Sequence, residues 1–141
     1  MMKRGQSPFS EKGTVSVVAG ALFDADGRVL IAQRPAGKAL AGRWEFPGGK
    51  LEPGEDPRAG LERELREELG VEVQAAHRLL RYRHDYPGRT VDLDFWNVTG
   101  WTGAPHGREG QALKWVQPDQ LPYEDILEAD APMIEVLLAG R

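Results

Sequence analysis

An α+β domain is the fold class that this sequence predicts. Apolar, β-branched segments both precede and follow one amphipathic helical segment, and a second helical segment closes the chain. No repeat, low-complexity tract or linker divides these elements. The length of 141 residues suits one domain with its own core. Residues 1–12 read as a flexible polar lead, and 13–141 as the single domain.

Thr14 to Phe23 (TVSVVAGALF) is rich in β-branched and apolar residues, as a buried strand requires. Asp24-Ala25-Asp26-Gly27 then supplies turn chemistry, and Val29-Leu30-Ile31 resumes the apolar run, so a hairpin is expected. Pro35 to Gly42 is a small-residue loop, and Pro47-Gly48-Gly49 is a breaker cluster after Trp44-Glu45-Phe46. Asp56-Pro57 suits a helix cap and first helical position, and Gly70 suits the end of that helix. Val71–Arg83 and Thr90–Val98 read as two strands joined around Asp85-Tyr86-Pro87-Gly88. In the second, Val91, Leu93 and Phe95 alternate with Asp92, Asp94 and Trp96, which predicts one buried and one wetter face. Gly100–Gly110 reads as a loop, Ala112–Val116 as a short strand and Pro132–Leu138 as the terminal helix.

Composition narrows the function. The absence of cysteine excludes disulfide scaffolding, a thiolate nucleophile and thiolate-ligated metals. A formal net charge of −4 argues against coating a nucleic-acid polymer. No apolar run approaches the roughly 20 residues of a membrane span, and the start lacks the apolar stretch of a signal peptide. A cytoplasmic protein without membrane partners is the expectation. Serine and histidine show no nucleophile elbow, and no P-loop or dinucleotide fingerprint occurs. His77, His84 and His106 have no metal-ligand spacing, while Arg78, Arg81, Arg83 and Arg89 form a basic stretch that reads either as a solvated strand face or, through Arg81 and Arg83 on one face, as an attractor of triphosphate.

The informative segment is GGKLEPGEDPRAGLERELREELGV, residues 48–71. On a wheel of about 100° per residue, Leu61, Leu65 and Leu69 fall in a stripe about 80° wide. Glu64, Glu67 and Glu68 share a neighbouring sector of about 100°. Glu64 and Glu68 are a like-charged pair one turn apart, which costs an isolated helix a few tenths of a kcal/mol. Gly60 on the same face costs about 1 kcal/mol relative to alanine. Both make sense if a cation sits against that face, and ligands of oxygen alone suit Mg²⁺ or Mn²⁺. A merely solvated acidic face is the competing reading.

Spacing favours the first reading. Gly49, Glu55 after five intervening residues, and then Arg63-Glu64-Leu65-Arg66-Glu67-Glu68-Leu69-Gly70-Val71 after seven more resemble the Nudix box at every fixed position. The resemblance implies an α/β/α sandwich with a mixed sheet between the box helix and the C-terminal helix. It implies hydrolysis of a nucleoside diphosphate linked to another group, with Mg²⁺ (Mn²⁺ as substitute) on Glu64, Glu67 and Glu68 and the Gly48 carbonyl. Gly49, Glu55, Arg63 and Gly70 would hold the box together, Glu55 and Arg63 by an ion pair. Glu64 and Glu109 are both candidates for the base that activates water.

The similarity extends over roughly residues 13–138 to the MutT group of bacterial nucleotide-pool sanitisers. It is carried by LIAQRP around Arg34, by WEFPGGK with Phe46 and Lys50, by DYPGR, by REGQ, and by Ala129-Asp130-Ala131-Pro132. It implies Arg34 at phosphate, Tyr86 and Arg89 around the base, and Phe46 among the substrate-binding residues; Lys50, beside the glycine loop, either aids the phosphates or is simply solvated. Glu109 would be a further metal ligand. Asp130 stands where MutT carries an asparagine that reads 8-oxoguanine. An ionised aspartate only accepts hydrogen bonds, so Asp130 suits the N7–H of 8-oxoguanine or a cytosine or adenine amino group, and satisfies O6 only when protonated. Its other reading is a cap of the last helix. The implied reaction is Mg²⁺-dependent cleavage of a nucleoside triphosphate to monophosphate and pyrophosphate. An oxidised purine such as 8-oxo-dGTP comes first as substrate. CTP, 5-methyl-dCTP or another nucleoside-diphosphate-linked compound is the alternative, and a non-catalytic nucleotide sensor the remote one. Monomer and homodimer both remain open.

Overall fold

The computed structural model describes residues 13–140; the lead 1–12 lies outside them. The described strands are β1 (Thr14–Leu22), β2 (Val29–Gln33), β3 (Trp44–Glu45), β4 (Gly48–Lys50), β5 (Glu72–Tyr86), β6 (Arg89–Thr102) and β7 (Leu113–Val116). Helix α1 (Pro57–Leu69) follows β4, and α2 (Ala131–Ala139) follows two 3-10 turns, Pro118–Tyr123 and Glu128–Asp130. β1 runs parallel to β6 and antiparallel to β4, and β6 runs antiparallel to β5, so the sheet β4-β1-β6-β5 is mixed. β3, β2 and β7 form a second, antiparallel sheet.

Helix α1 follows local rules. Asp56 accepts the amide of Ala59 at its start, Pro57 opens the first turn, and Gly70 closes it at φ 74° while its N–H reaches Arg66 O. The stripe of Leu61, Leu65 and Leu69 packs with Val18, Leu22, Leu30 and Val98. Each leucine buried this way contributes roughly 1.5–3 kcal/mol. A second apolar cluster joins Ala19, Ala21, Val29, Ile31 and Phe95 to Met133 and Ile134 of α2. β1 and β2 feed both clusters from alternate residues, which is why they read as continuous apolar runs. The strands thus separate two helical layers, the α/β/α sandwich.

Several local expectations change. The turn after β1 forms, with Asp24 accepting the amides of Asp26 and Arg28, but only Phe23 and Val29 bridge across it. Both edges of β1 are already taken by β4 and β6, so β2 departs into the other sheet instead of completing a hairpin. The breaker cluster contains β4, because its glycine lets the backbone press on β1: a methyl on Gly48 would strike Val18 O. β6 continues through Gly100 to Thr102, three residues into the expected loop. Asp94, expected on a wet face, is buried because Arg78 grips both its oxygens at 2.7 and 2.9 Å. Gly60 leaves room not for a cation but for the preceding loop, since a methyl there would strike Leu51.

Candidate active site

Box helix and sheet meet at a cavity of about 660 Å³, a size suited to a small-molecule site. Its lining includes Gly48, Gly49, Lys50, Glu64, Glu67, Glu68 and Glu109, and also Phe46, Tyr86, Arg89, Ala129 and Asp130. Arg34 and Glu45 also line it. Glu55, Arg63 and Gly70 stand outside, in the frame of the box.

The carboxylate wall is built from α1 and the strand before it. Glu68, 8% exposed, accepts the Gly48 amide at 2.8 Å. Burial pushes its carboxyl up to about 8; that amide opposes the shift, and negative Glu45, Glu109 and Glu64 reinforce it. Burial likewise raises Glu64, against the pull of Arg63 at 2.9 Å. Arg63 also grips Glu55 by two bonds of 2.8 and 2.9 Å and donates to Lys50 O at 3.1 Å, which holds the Glu55 carboxyl down at about 2. One arginine therefore ties the loop to the helix and borders the acidic wall. Gly49 faces the Glu64 carboxylate so closely that a methyl would overlap it.

Glu109 reaches this wall because its loop docks on the open carbonyl end of α1. His106 N donates to Leu69 O at 3.0 Å, Arg108 N to Glu68 O at 3.1 Å, and Arg108 Nη1 to Arg66 O at 3.1 Å. Buried Gln111 completes the dock, donating to Glu68 O and accepting the Glu109 amide, both at 3.0 Å. The sequence marks neither Gln111 nor Glu45 as a site residue; a glutamine just after the turn Gly107–Gly110 carries no chemical signal by itself.

These carboxylates suit a hard divalent cation. They are oxygen donors without sulfur or imidazole, and burial beside like charges keeps protons on Glu68 that a cation would replace. Among the described residues no three acidic or imidazole groups are yet drawn into a closed cage. Glu64 and Glu67 lean on Arg63, at 2.9 and 3.4 Å, and Glu68 on the Gly48 amide. Replacing Gly49 by alanine is expected to displace Glu64 and to weaken cation binding about tenfold, as losing support for a metal ligand does. Titration with Mn²⁺ followed by calorimetry checks this; unchanged affinity would detach Glu64 from the cation.

Asp130 is buried, 5% exposed, and its Oδ2 accepts the Phe46 amide at 2.9 Å. Burial raises its carboxyl to about 8 despite that bond. It makes no capping bond to α2, so the cap reading fails: the amide it serves belongs to Phe46. Tyr86 Oη accepts the Ala129 amide at 3.3 Å, and Phe46 packs edge-on against Phe95. Arg34 is engaged by Glu45 at 3.1 Å and Ala39 O at 2.7 Å. Lys50 and Arg89 make no ion pair among the described residues, which leaves them available to an anion. Arg81 and Arg83 do not border the cavity. Arg83 pairs with Asp92 at 2.6 Å and Arg81 approaches Asp94 at 3.9 Å, so the basic stretch answers its neighbouring strand.

Comparison with known proteins agrees with this geometry. The NUDIX domain family model matches residues 13–137. The chain is 40% identical over 124 residues to the CTP pyrophosphohydrolase of Escherichia coli K12, covering 88% of this chain and 92% of that one. It is 37% identical over 128 residues to the 8-oxo-dGTP diphosphatase of Haemophilus influenzae, covering 91% and 94%. Among solved structures, a MutT from a study of Aliivibrio salmonicida and Vibrio cholerae superposes with TM-score 0.80 at 36% identity, covering 91% of this chain and 99% of that one. The E. coli ORF135 protein superposes equally, TM-score 0.80 at 38% identity, covering 92% of each.

Proposed function

This chain belongs to the NUDIX domain family, and from that premise we propose that it cleaves nucleoside triphosphates to monophosphate and pyrophosphate with Mg²⁺, an oxidised purine such as 8-oxo-dGTP being preferred. It is a hydrolase of nucleoside triphosphates, and its family works with divalent cations. One observation carries the reading: a single cavity is lined both by a cluster of carboxylates and by a buried carboxyl among aromatic residues. A triphosphate with its cations suits the first group and a base the second.

Glu64, Glu67, Glu68, Glu109 and the Gly48 carbonyl would hold the cation. When bound, it supplies charge neutralisation and polarises phosphate oxygens, which is most of what phosphoryl chemistry asks of a protein. Lys50 brings positive charge to the phosphates and Arg89 stands beside the base, while Arg34 braces Glu45 and the loop at Ala39. Glu64 and Glu109 both face the cavity as acceptors for the proton of the attacking water. Phe46 and Tyr86 frame the base, and Asp130 reads its edge. A carboxyl with its pKa near 8 keeps its proton at pH 7 and then both donates and accepts, as an amide does. It can so meet O6 and N7–H of an oxidised guanine together. The ionised form would accept the amino group of cytosine, and this favours CTP or 5-methyl-dCTP as the second reading.

A screen of normal, oxidised and methylated nucleoside triphosphates, nucleotide sugars and dinucleoside polyphosphates with Mg²⁺, read by pyrophosphate release, tests the proposal. Highest kcat/KM for an oxidised purine supports it; preference for a sugar or a dinucleoside compound contradicts it.

The raised carboxyls also make stability depend on pH. Between the ordinary carboxylate range and about 8, the folded chain holds protons on Glu68 and Asp130 that the unfolded chain has lost. Stability of the metal-free protein therefore falls as pH rises from about 5 to 8. Glu55 works in the opposite sense, but its contribution is lost only as pH falls towards 2, outside this window. Thermal melts are expected to show Tm falling over pH 5–8, and Mg²⁺ raising Tm more at pH 8 than at pH 5. A Mg²⁺ effect independent of pH would contradict the linkage.

A further inference from the structure

We propose that Arg43 is a positioning residue for base selection, acting on Asp130 through the segment that carries it. Asp130 ends a 3-10 turn of three residues, Glu128–Asp130, and a turn that short does not hold its own place. Its position is set by what fastens the chain around it. On one side Tyr86 Oη accepts the Ala129 amide. On the other, β3 grips residues 125–127: Trp44 N donates to Asp125 O at 2.8 Å and Leu127 N to Trp44 O at 2.9 Å. Arg43, just before β3, reinforces that grip. Its Nη2 donates to Ile126 O at 2.6 Å, its Nε meets Asp125 Oδ1 at 2.8 Å, and Nη2 lies 3.3 Å from Glu128 Oε2.

An ordinary surface ion pair is the competing explanation, and such pairs contribute about 0–1 kcal/mol. Two features decide against it. The Arg43 side chain is only 22% exposed, and its shortest bond goes to a main-chain carbonyl. The chain beyond that carbonyl leads at once to Leu127, Ala129 and Asp130, which all line the cavity. Three acceptors in different directions also need the planar fork of a guanidinium, which lysine lacks. Arg43 itself does not border the cavity, so it touches neither phosphate nor cation.

The inference rests on Asp130 reading the base, and the test separates the two. Steady-state kinetics on 8-oxo-dGTP, dGTP and CTP are compared for the wild type, Arg43→Ala, Arg43→Lys and Asp130→Asn. Val98→Ala, in the other apolar cluster, serves as a control for general destabilisation. Arg43→Ala is expected to raise KM for the preferred nucleotide about tenfold and to lower base discrimination about tenfold, the scale of one misplaced recognition contact. Its kcat should stay within about twofold and its Mn²⁺ affinity should not change, because transition-state contacts to the phosphates are untouched. Arg43→Lys should fall between the two, and carries the test if the alanine variant does not fold. Discrimination altered in Asp130→Asn but not in the Arg43 variants overturns the role of Arg43. Discrimination unaltered in all of them overturns the base-reading role of Asp130, and this inference with it. A loss of kcat and KM matched by Val98→Ala would reduce Arg43 to a structural residue.

Discussion

Glu68→Gln is expected to lower kcat for pyrophosphate release about 10³-fold or more at saturating Mg²⁺, about 4 kcal/mol at roughly 1.4 kcal/mol per decade. The substitution is chosen because it changes almost nothing else. Glutamine has the same length, and its carbonyl oxygen can still accept the Gly48 amide now bonded to Glu68 Oε1 at 2.8 Å. What disappears is a negative charge that burial and its neighbours already make costly in the metal-free protein. The variant should therefore fold with Tm equal to or above that of the wild type at pH 8, while its Mn²⁺ affinity falls. Near-normal turnover in the folded variant would remove Glu68 from the cation site. A collapsed Tm would show instead that the residue serves the fold.

Asp130→Asn is expected to change which base is accepted, by about 10–100-fold in the ratio of kcat/KM for 8-oxo-dGTP and CTP, since one good edge contact discriminates by roughly 1–3 kcal/mol. The wild-type residue changes character with pH. Protonated below about 8, it donates and accepts; ionised above that, it only accepts. The wild-type ratio should therefore favour the oxidised purine at pH 6–7 and move towards CTP as pH rises through about 8. Asparagine has no proton to lose. Its ratio should favour the oxidised purine at every pH, and the slope should vanish. A wild-type ratio that is flat with pH, or an unchanged ratio in the variant, would leave Asp130 only its bond to the Phe46 amide.

How legible this was depended on how local each feature is. The box helix needed only its neighbours along the chain: Asp56 as cap, Pro57 in the first turn, three leucines one turn apart and Gly70 at the end. Its leucines had to find a core, and the glutamates beside them had to face what lay next to that core. Long-range pairing was not legible in the same way. A turn at Asp24–Gly27 forms whether or not the strands beyond it pair, and these part because β6, far along the chain, claims the edge of β1. Gly48 looked like a breaker because its close approach to Val18 is visible only once β1 is beside it. Gly60 misled for the same reason, its neighbour being Leu51. The arginines of β5 looked free to meet phosphate because their partners, Asp92 and Asp94, come from the strand across the turn. Asp130 had two readings in sequence, and its bond to Phe46, 84 positions away, separates them.

On the proposed function the carboxylates and the residues around Asp130 serve one reaction, the cleavage of a triphosphate between its α and β phosphorus atoms. Phosphorus NMR of the products from 8-oxo-dGTP tests it most directly, with Mg²⁺ and with the cation removed by EDTA. Monophosphate and pyrophosphate in equal amounts with Mg²⁺, and no products with EDTA, are expected. Diphosphate with inorganic phosphate, or turnover that survives EDTA, would contradict it.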